Sequence, residues 1–338
     1  MGHSDEEKKE IVYVYRYWQR FNQTVYDILQ EKYTVKPIRF YGIGSIWKIF
    51  RNIKKDNISI VHFAGKQALV TTFLGKLKHH KTIIIVAGYD VAKSHHNSKI
   101  MWAITKVISK LSILYADYVI DGSSKYLEKE MFSFVQPRKY FYCPAPSAVD
   151  THFFKCNSPF YKEKIVISVG IISKKSFERK RFDIFSECAT RLPKINFVWA
   201  GLSRDTGFID NLNFPSNLKL MKDLSDTELR NLMARATVYC QLSRDEGFGL
   251  AMAEAMACEC VPVVTPVGAI PEVVGDAGIY VPYGDVEKTV EGIKEALSKP
   301  ELGKKARQRI VENYSKEKLK PEFLKIIDEI YSELENLP

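Results

Sequence analysis

The strongest constraint on the fold of this chain is a rhythm: short β-branched or aromatic runs alternate with longer amphipathic stretches, and the rhythm runs twice. In the first series the runs are IVYVYRY (11–17), ISIVHFA (58–64), TIIIVAG (82–88), YVIDGS (118–123) and KYFYCP (139–144). Helical patterns such as SIWKIFRNIKKD (45–56) and KIMWAITKVISKLSILYA (99–116) lie between them. The second series reads KIVISVG (164–170), INFVWAG (195–201), LKLM (218–221), TVYCQLS (237–243) and VPVVTP (261–266). Alternation of this kind predicts α/β architecture, with parallel sheets covered by helices on both faces. Two series in 338 residues predict two Rossmann-like domains, each long enough for its own core. The expected division is 1–150, 151–314 and a C-terminal helix over 315–338 that packs back on the first domain. It follows from CPAPSAVDTHFFKCNSPFYKEK (143–164), where three prolines interrupt any regular pattern. Ligands of open parallel sheets bind outside the carboxyl ends of the strands, so two such domains are expected to face each other across a cleft.

Composition narrows the class further. Hydrophobic residues make up 46% and charged residues 27%, which disfavours disorder. The six cysteines are scattered, and Cys258 and Cys260 lack the spacing of a zinc site, so a reduced protein is expected. The start, MGHSDEEKKE, is too polar for a signal peptide, and no run approaches the roughly 20 apolar residues of a membrane span. The expected location is cytoplasmic, peripheral on the inner face of the membrane.

Charge is unevenly placed. Residues 1–150 hold 23 Lys and Arg against 13 Asp and Glu, whereas the remainder balances at 27 of each, so the first half carries the whole net charge of +10. Such asymmetry suits an anionic partner, with solubility alone as the plainer account. In SIWKIFRNIKKD, Ile46, Trp47, Ile49, Phe50 and Ile53 lie among Lys48, Arg51, Lys54 and Lys55, as in helices that rest on anionic membranes. A helix covering a sheet has the same pattern. No nucleic-acid motif accompanies the charge, and nucleic acid is not expected as a partner.

Chemistry concentrates at EGFGLAMAE (246–254), which places two glutamates eight positions apart in an apolar setting. TVYCQLS ends as a strand, RDEGFG turns, and LAMAEAMA continues as a helix. Gly247 and Gly249 let a ligand approach the backbone, and the free amides and positive end of the helix dipole favour an anion there. A carboxylate inside such a helix costs several kcal/mol unless donors meet it, and ligand hydroxyls are one source of donors. At about 1.5 Å per residue, Glu254 lies about 8 Å along the axis from the turn, the reach from a diphosphate to a ribose. The alternative is that Glu254 meets an internal Arg or amide and Glu246 is a solvated loop charge.

The wider stretch RDEGFGLAMAEAMACECVPVVTPVGAIPEVVGDAGIYVPYGD (244–285) resembles the signature of retaining GT-B glycosyltransferases of family 4, the group 1 type. The resemblance implies a GT-B fold and a nucleoside-diphosphate sugar as co-substrate. It implies that Glu254 binds ribose hydroxyls, that Glu246 contacts the donor sugar, and that amides from Gly247 through Phe248 and Gly249 to Leu250 meet the diphosphate. PAPSAVDTHFF (144–154) is similar to the family's interdomain segment, with Ser147 and Ala148 replacing its Asn-Gly. SVGIISKKSFERKRFDIF (168–185) resembles the diphosphate loop that begins at Gly170, and Lys180 matches its lysine. Ile171 stands where the family usually has an arginine; Lys174, Lys175, Arg179 and Arg181 are the cations at hand to compensate.

The first half matches less well. YRYWQRFNQT stands where family members often have Gly-Gly, and VAGYDVAKSHH stands where they often have a histidine near the donor sugar. Asp90 is carried over there as a sugar or acceptor contact, with His95 and His96 read as exposed loop residues.

For a retaining transfer the resemblance implies that the leaving diphosphate helps to remove the acceptor proton, with Lys180 and the 247–250 amides stabilising its charge. No Asp-x-Asp motif occurs, so metal-free catalysis without a further cofactor is expected. An acceptor lipid or glycan is the expected second substrate. A sugar-nucleotide epimerase of the same fold and a non-catalytic membrane- or nucleic-acid-binding protein are the competing readings. G-x-G-x-x-G after a strand and G-x-x-x-x-G-K-[ST] are both absent, which excludes a dinucleotide-dependent dehydrogenase and a P-loop enzyme.

Overall fold

The computed structural model describes residues 8–88, 90–91, 99–156, 162–204 and 207–336. The chain divides into two compact units, Met1–Ala148 with Leu319–Pro338, and Val149–Lys318. The expected break after residue 150 lies two residues beyond this division, and the expected return at 315 lies four residues before it.

Unit 1 runs β1 (Glu10–Tyr15), α1 (Arg20–Gln30), β2 (Thr34–Arg39), α2 (Ile43–Asn52), β3 (Ile58–His62), α3 (Lys66–Leu77), β4 (Lys81–Val86), α4 (Lys99–Tyr115), β5 (Tyr118–Asp121), α5 (Lys125–Phe132) and β6 (Tyr140–Tyr142). Its six strands are parallel in the order β2-β1-β3-β4-β5-β6. The central strands are buried on both faces, as in a sheet covered on both sides: Ile58 to His62 and Ile83 to Val86 are all buried, with Ser59 and His62 the polar members.

β2 is not among the strands expected from sequence. Its segment TVKPIR buries only Val35 and Ile38, and Pro37 cannot donate to a ladder. Both traits suit its place at the sheet edge, where one side needs no partner. α2 begins at Ile43 after Gly42, which holds φ at +67°, and it ends where Ile53 turns extended, so it is shorter than the expected 45–56. It covers the sheet with Ser45, Ile49 and Ile53, all buried.

Unit 2 runs β7 (Glu163–Val169), α6 (Lys174–Lys180), α7 (Phe182–Arg191), β8 (Asn196–Gly201), β9 (Leu218–Lys222), α8 (Asp226–Arg235), β10 (Ala236–Gln241), α9 (Leu250–Ala257), β11 (Val261–Val264), α10 (Ile270–Val274), β12 (Ile279–Tyr280), α11 (Val286–Ser298) and α12 (Leu302–Tyr314). Its sheet is also parallel, in the order β12-β11-β10-β7-β8-β9. The two-residue β12 is likewise not expected from sequence. β7 leads to β8 and β9 on one side, while the chain then returns to the other side of β7 to lay down β10. The order therefore reverses between β7 and β10, and the loops leaving these two strands diverge there. On one face, Phe182 stacks on Trp199 with ring centroids 3.9 Å apart, and Phe185 and Phe197 complete an aromatic layer.

The last helix, α13 (Lys316–Glu335), carries Leu319, Phe323, Ile326, Ile327 and Ile330 into the core of unit 1. Pro321 lies inside the helix, at its sixth residue, where it removes one amide donor from the helical ladder. Tyr33 and Tyr331 stack at 5.4 Å, and Asp328 accepts from the Tyr33 hydroxyl at 2.5 Å. Phe323→Ala is expected to cost about 3–5 kcal/mol by opening a cavity. Lys325→Ala, at a position 78% exposed on the same helix, is expected to change stability by less than about 0.5 kcal/mol. Guanidinium unfolding midpoints of the two variants check the difference.

Candidate functional site

The switch point of unit 2 is where the sequence places its chemistry. β7 ends at Val169, and Gly170 follows; its carbonyl comes so close to Gly201 that a Cβ on Gly201 would lie 1.8 Å from it. A Cβ on Gly170 would in turn lie 2.6 Å from Cδ of Lys180, because the lysine side chain lies directly across this glycine. The chain then enters α6, capped by Ser173, whose hydroxyl accepts from the Ser176 amide. α6 ends at Arg181 in the left-handed conformation (φ +54°), from which α7 starts in a new direction.

Across the switch point, β10 ends at Gln241, and the loop through Ser243 and Glu246 leads to Gly249 (φ +87°) and α9. Two backbone ties fix the loop. The Arg244 amide donates to the Arg179 carbonyl at 2.8 Å, and the Ala269 amide donates to the Glu246 carbonyl at 3.0 Å. Gly268 (φ +56°) makes the second tie possible, since a Cβ there would meet that carbonyl at 2.1 Å.

Glu246 gathers the groups. Its Oε2 accepts from Gln241 Nε2 at 2.6 Å and from Arg179 Nη1 at 3.3 Å, with Lys180 Nζ at 3.6 Å and Ser243 Oγ at 3.5 Å. Gln241 is itself oriented, accepting from the Tyr239 hydroxyl at 3.0 Å and donating to Ser243 Oγ at 2.8 Å. Burial raises the Glu246 pKa, but Lys180 and Arg179 outweigh it and hold the carboxyl below its ordinary value. Burial drives Lys180 down to about 8, with the attraction of Glu246 opposing the fall. Glu246 is therefore not a solvated loop charge.

Of the residues expected from sequence, Gly170, Arg179, Lys180, Glu246 and Gly249 are brought together; a Cβ on Gly249 would lie 3.5 Å from Glu246 Cγ. Glu254 lies in α9, 2% exposed among Met252, Ala253, Ala255 and Met256. Gly247 lies on the turn between them. Phe248 turns its ring inward, edge-on to Tyr314 at 5.3 Å, and Leu250 packs on the same core, so these two offer the site only their backbone. Lys174 and Lys175 are exposed on the first turn of α6, and Arg181 is engaged with Asp183 and the Tyr283 ring.

Asp90 belongs to unit 1. Its Oδ2 accepts from the Ala64 amide at 2.9 Å and thereby ties down the β3–α3 turn, where Phe63 holds φ at +67°. Burial raises its pKa to about 6 against the pull of backbone amides. His95 and His96 lie outside the described residues.

Sequence reasoning missed Gln241, Ser243 and Ser176. The signal for the first two was available: they are the polar residues that close the otherwise apolar TVYCQLS. Ser176 is buried beside Gly170 and Lys180, and its hydroxyl finds no hydrogen-bond partner. Among the described residues, no three His, Cys, Asp or Glu converge as a metal site, and none of the six cysteines is disulfide-bonded.

An open parallel sheet with cations, glycines and a helix start at its switch point is a build suited to receiving an anion. The solved structures it resembles are GT-B glycosyltransferases, and the chain has that fold. It matches Anabaena HepE in complex with UDP-glucose at a TM-score of 0.78 and 13% identity, over 95% of this chain and 99% of that one. It matches sucrose-phosphate synthase from Thermosynechococcus elongatus at a TM-score of 0.77 and 14% identity, over 96% and 100%. Residues 151–317 match the family described as Glycosyl transferases group 1. Among named relatives it is 23% identical to N-acetyl-alpha-D-glucosaminyl L-malate synthase of Bacillus anthracis, over 88% of this chain and 82% of the relative. It is 24% identical to a component of the phosphatidylinositol N-acetylglucosaminyltransferase of Arabidopsis thaliana over 73% of this chain, a match that spans only 56% of that relative's length.

The coupling of Lys180 to Glu246 can be measured directly. Glu246→Gln removes the charge that supports the ammonium, so the Lys180 pKa is expected to fall below its value of about 8. An NMR titration of the lysine side chain reads the shift; an unchanged or higher pKa would separate the two groups.

Proposed function

We propose that this protein transfers a sugar, with retention at the anomeric carbon, from a nucleoside-diphosphate sugar to a hydroxyl-bearing lipid or glycan. The observation that carries the reading is the Glu246 carboxylate held between the α6 cations and the start of α9, with Glu254 buried eight residues on. In the transfer, the bond from the anomeric carbon to the leaving phosphate oxygen breaks. A bond from the same carbon to the acceptor oxygen forms on the same face, and the acceptor proton passes to the leaving phosphate. Lys180, Arg179 and the first amides of α9 stabilise the charge that grows on the diphosphate. Glu246 positions the sugar and Glu254 takes the ribose hydroxyls. The residues named supply this stabilisation without a metal ion, and metal-independent transfer is part of the proposal.

UDP conjugates of glucose and N-acetylglucosamine are the first donors to test, since the matching HepE structure holds UDP-glucose and two relatives are named for N-acetylglucosaminyl chemistry. The surplus positive charge of the first half supports an acceptor or surface that is anionic. An epimerase built on the same site would alter the donor without an acceptor.

A thermal-shift panel of nucleoside diphosphates and their sugar conjugates, with and without Mg²⁺, is expected to give a metal-independent rise for one base. Glu254→Ala is expected to lose most of that nucleotide affinity by calorimetry. Glu246→Ala is expected to abolish turnover while the fold survives. Normal turnover by folded Glu246→Ala, or unchanged affinity in Glu254→Ala, would remove that residue from its role.

The lysine supplies a pH test. Below about 8 Lys180 is protonated and attracts the diphosphate; above it the proton is lost and so is the attraction. Nucleoside-diphosphate affinity is therefore expected to fall as pH rises through about 8. Lys180→Arg, which stays charged, is expected to abolish the fall. A wild-type affinity that is flat across this window would take Lys180 away from the diphosphate.

A further inference from the structure

α4 is built inside out. Ile100, Ile104, Val107, Leu111 and Leu114 follow the four-three spacing that puts them on one stripe of a helix, and all five are exposed, from 37% at Leu111 and Leu114 to 72% at Ile100. The opposite face turns Ser109, Ser112, Ile113 and Ala116 inward. Ser112 is satisfied, donating to the carbonyls of Ile108 and Gly65, but the Ser109 hydroxyl is buried without a hydrogen-bond partner. The neighbouring α3, which packs on α4, repeats the inversion. It buries Gln67, Thr71, Thr72 and Gly75 and exposes Phe73 and Leu77, both above 60%. A monomer in water gains nothing from serine and threonine inside with isoleucine and phenylalanine outside. An apolar patch of this extent marks a surface that is covered in use.

Charge identifies the cover. Residues 43–115 contain twelve Lys and Arg and two Asp, a surplus of ten that equals the formal charge of the whole chain. α3 and α4 contain no acidic residue, and Lys66, Lys106 and Lys110 flank their apolar stripes, while Lys76 is paired with Asp117 at 2.6 Å. A two-fold pairing with a second copy would set these cationic helices against each other, a like-charge arrangement. An anionic bilayer offers both an apolar interior for the stripe and negative headgroups for the lysines. α4 has 17 residues, and among the described residues no helix is long and apolar enough to cross a membrane.

We propose that the outward faces of α4 and α3 form a docking surface that lies in the headgroup boundary of an anionic membrane. The surface belongs to unit 1 and needs no nucleotide, so it stands or falls independently of the transfer reaction. α2, whose sequence also has an interfacial pattern, spends Ile49 and Ile53 on the sheet and contributes exposed Trp47 with Arg51 over its ring.

The test is co-sedimentation of the full chain with vesicles of phosphatidylcholine alone and of phosphatidylcholine mixed with phosphatidylglycerol. The wild type is expected to bind the anionic vesicles and not the neutral ones. Ile104→Glu with Leu111→Glu is expected to weaken binding by about tenfold or more, and Lys110→Glu by about fivefold. Val311→Glu, an equivalent change on an exposed apolar residue of α12, is expected to leave binding unchanged. The substituted positions face water, so melting temperatures should hold; single Val107→Glu serves if the double variant does not fold. Absence of vesicle binding, equal binding to neutral vesicles, or equal binding by the α4 variants overturns the proposal. So does a wild-type dimer in sedimentation velocity that the α4 variants dissolve, which would give the face to a second copy.

Discussion

The contact on which the rest of unit 2 is organised is the one between Glu246 and the cations at the end of α6. It joins the two loops that diverge at the sheet's reversal, one after β7 and one after β10. Neither loop could hold its charge alone. A lysine lying across Gly170 with so little access to water is already driven down to about 8, and without the carboxylate it would be pushed towards neutrality. The carboxylate, equally enclosed, would rise without the cations. Each keeps the other ionised, and the glycines at 170, 201 and 268 exist where backbone must pass close enough for this to happen.

Such a cluster is expensive to desolvate, and buried ion pairs rarely stabilise a fold beyond what apolar residues would achieve in their place. The pair is also asymmetric: two cations face one carboxylate, and Gln241 and Ser243 donate to that same oxygen. The helix that follows adds the positive end of its dipole. The electrostatics of this corner therefore lean towards accepting further negative charge, and the buried Ser176 hydroxyl, still without a partner, adds a donor on the same side.

Much of this was legible in the sequence because backbone requirements leave residue-type traces. The alternation of apolar runs gave both sheets, and the order EGFG followed by a helix of small residues located the switch-point loop. What was illegible falls into two kinds. β2 and β12 lack the apolar run by which strands are recognised, since an edge strand buries little and tolerates Pro37. Gln241 and Ser243 are ordinary residues whose importance comes from facing a glutamate three to five positions on. The inversion of α4 was hidden for a different reason: an apolar stripe in KIMWAITKVISKLSILY looks the same whether it faces a sheet or water, and only burial distinguishes them.

The same distinction bears on how the positive charge of unit 1 is used. At the carboxyl edge of its sheet stand the ionisable groups His62 and Asp121, both buried, and the half-buried Asp90. Burial lowers His62 to about 3, so it is neutral; it raises Asp121 to about 7 against the Ser123 and Ser124 amides, with Asp90 adding to the rise. These three groups supply no fixed positive charge of the kind that Arg179 and Lys180 supply in unit 2. The surplus cations instead accompany α2, α3 and α4, spread along helices whose outward faces are apolar. A pocket for one phosphate concentrates charge at a point, whereas an extended negative surface rewards charge distributed around an apolar centre. The distribution in unit 1 is of the second kind, so under the two proposals the halves of the chain would meet negative charge at different scales.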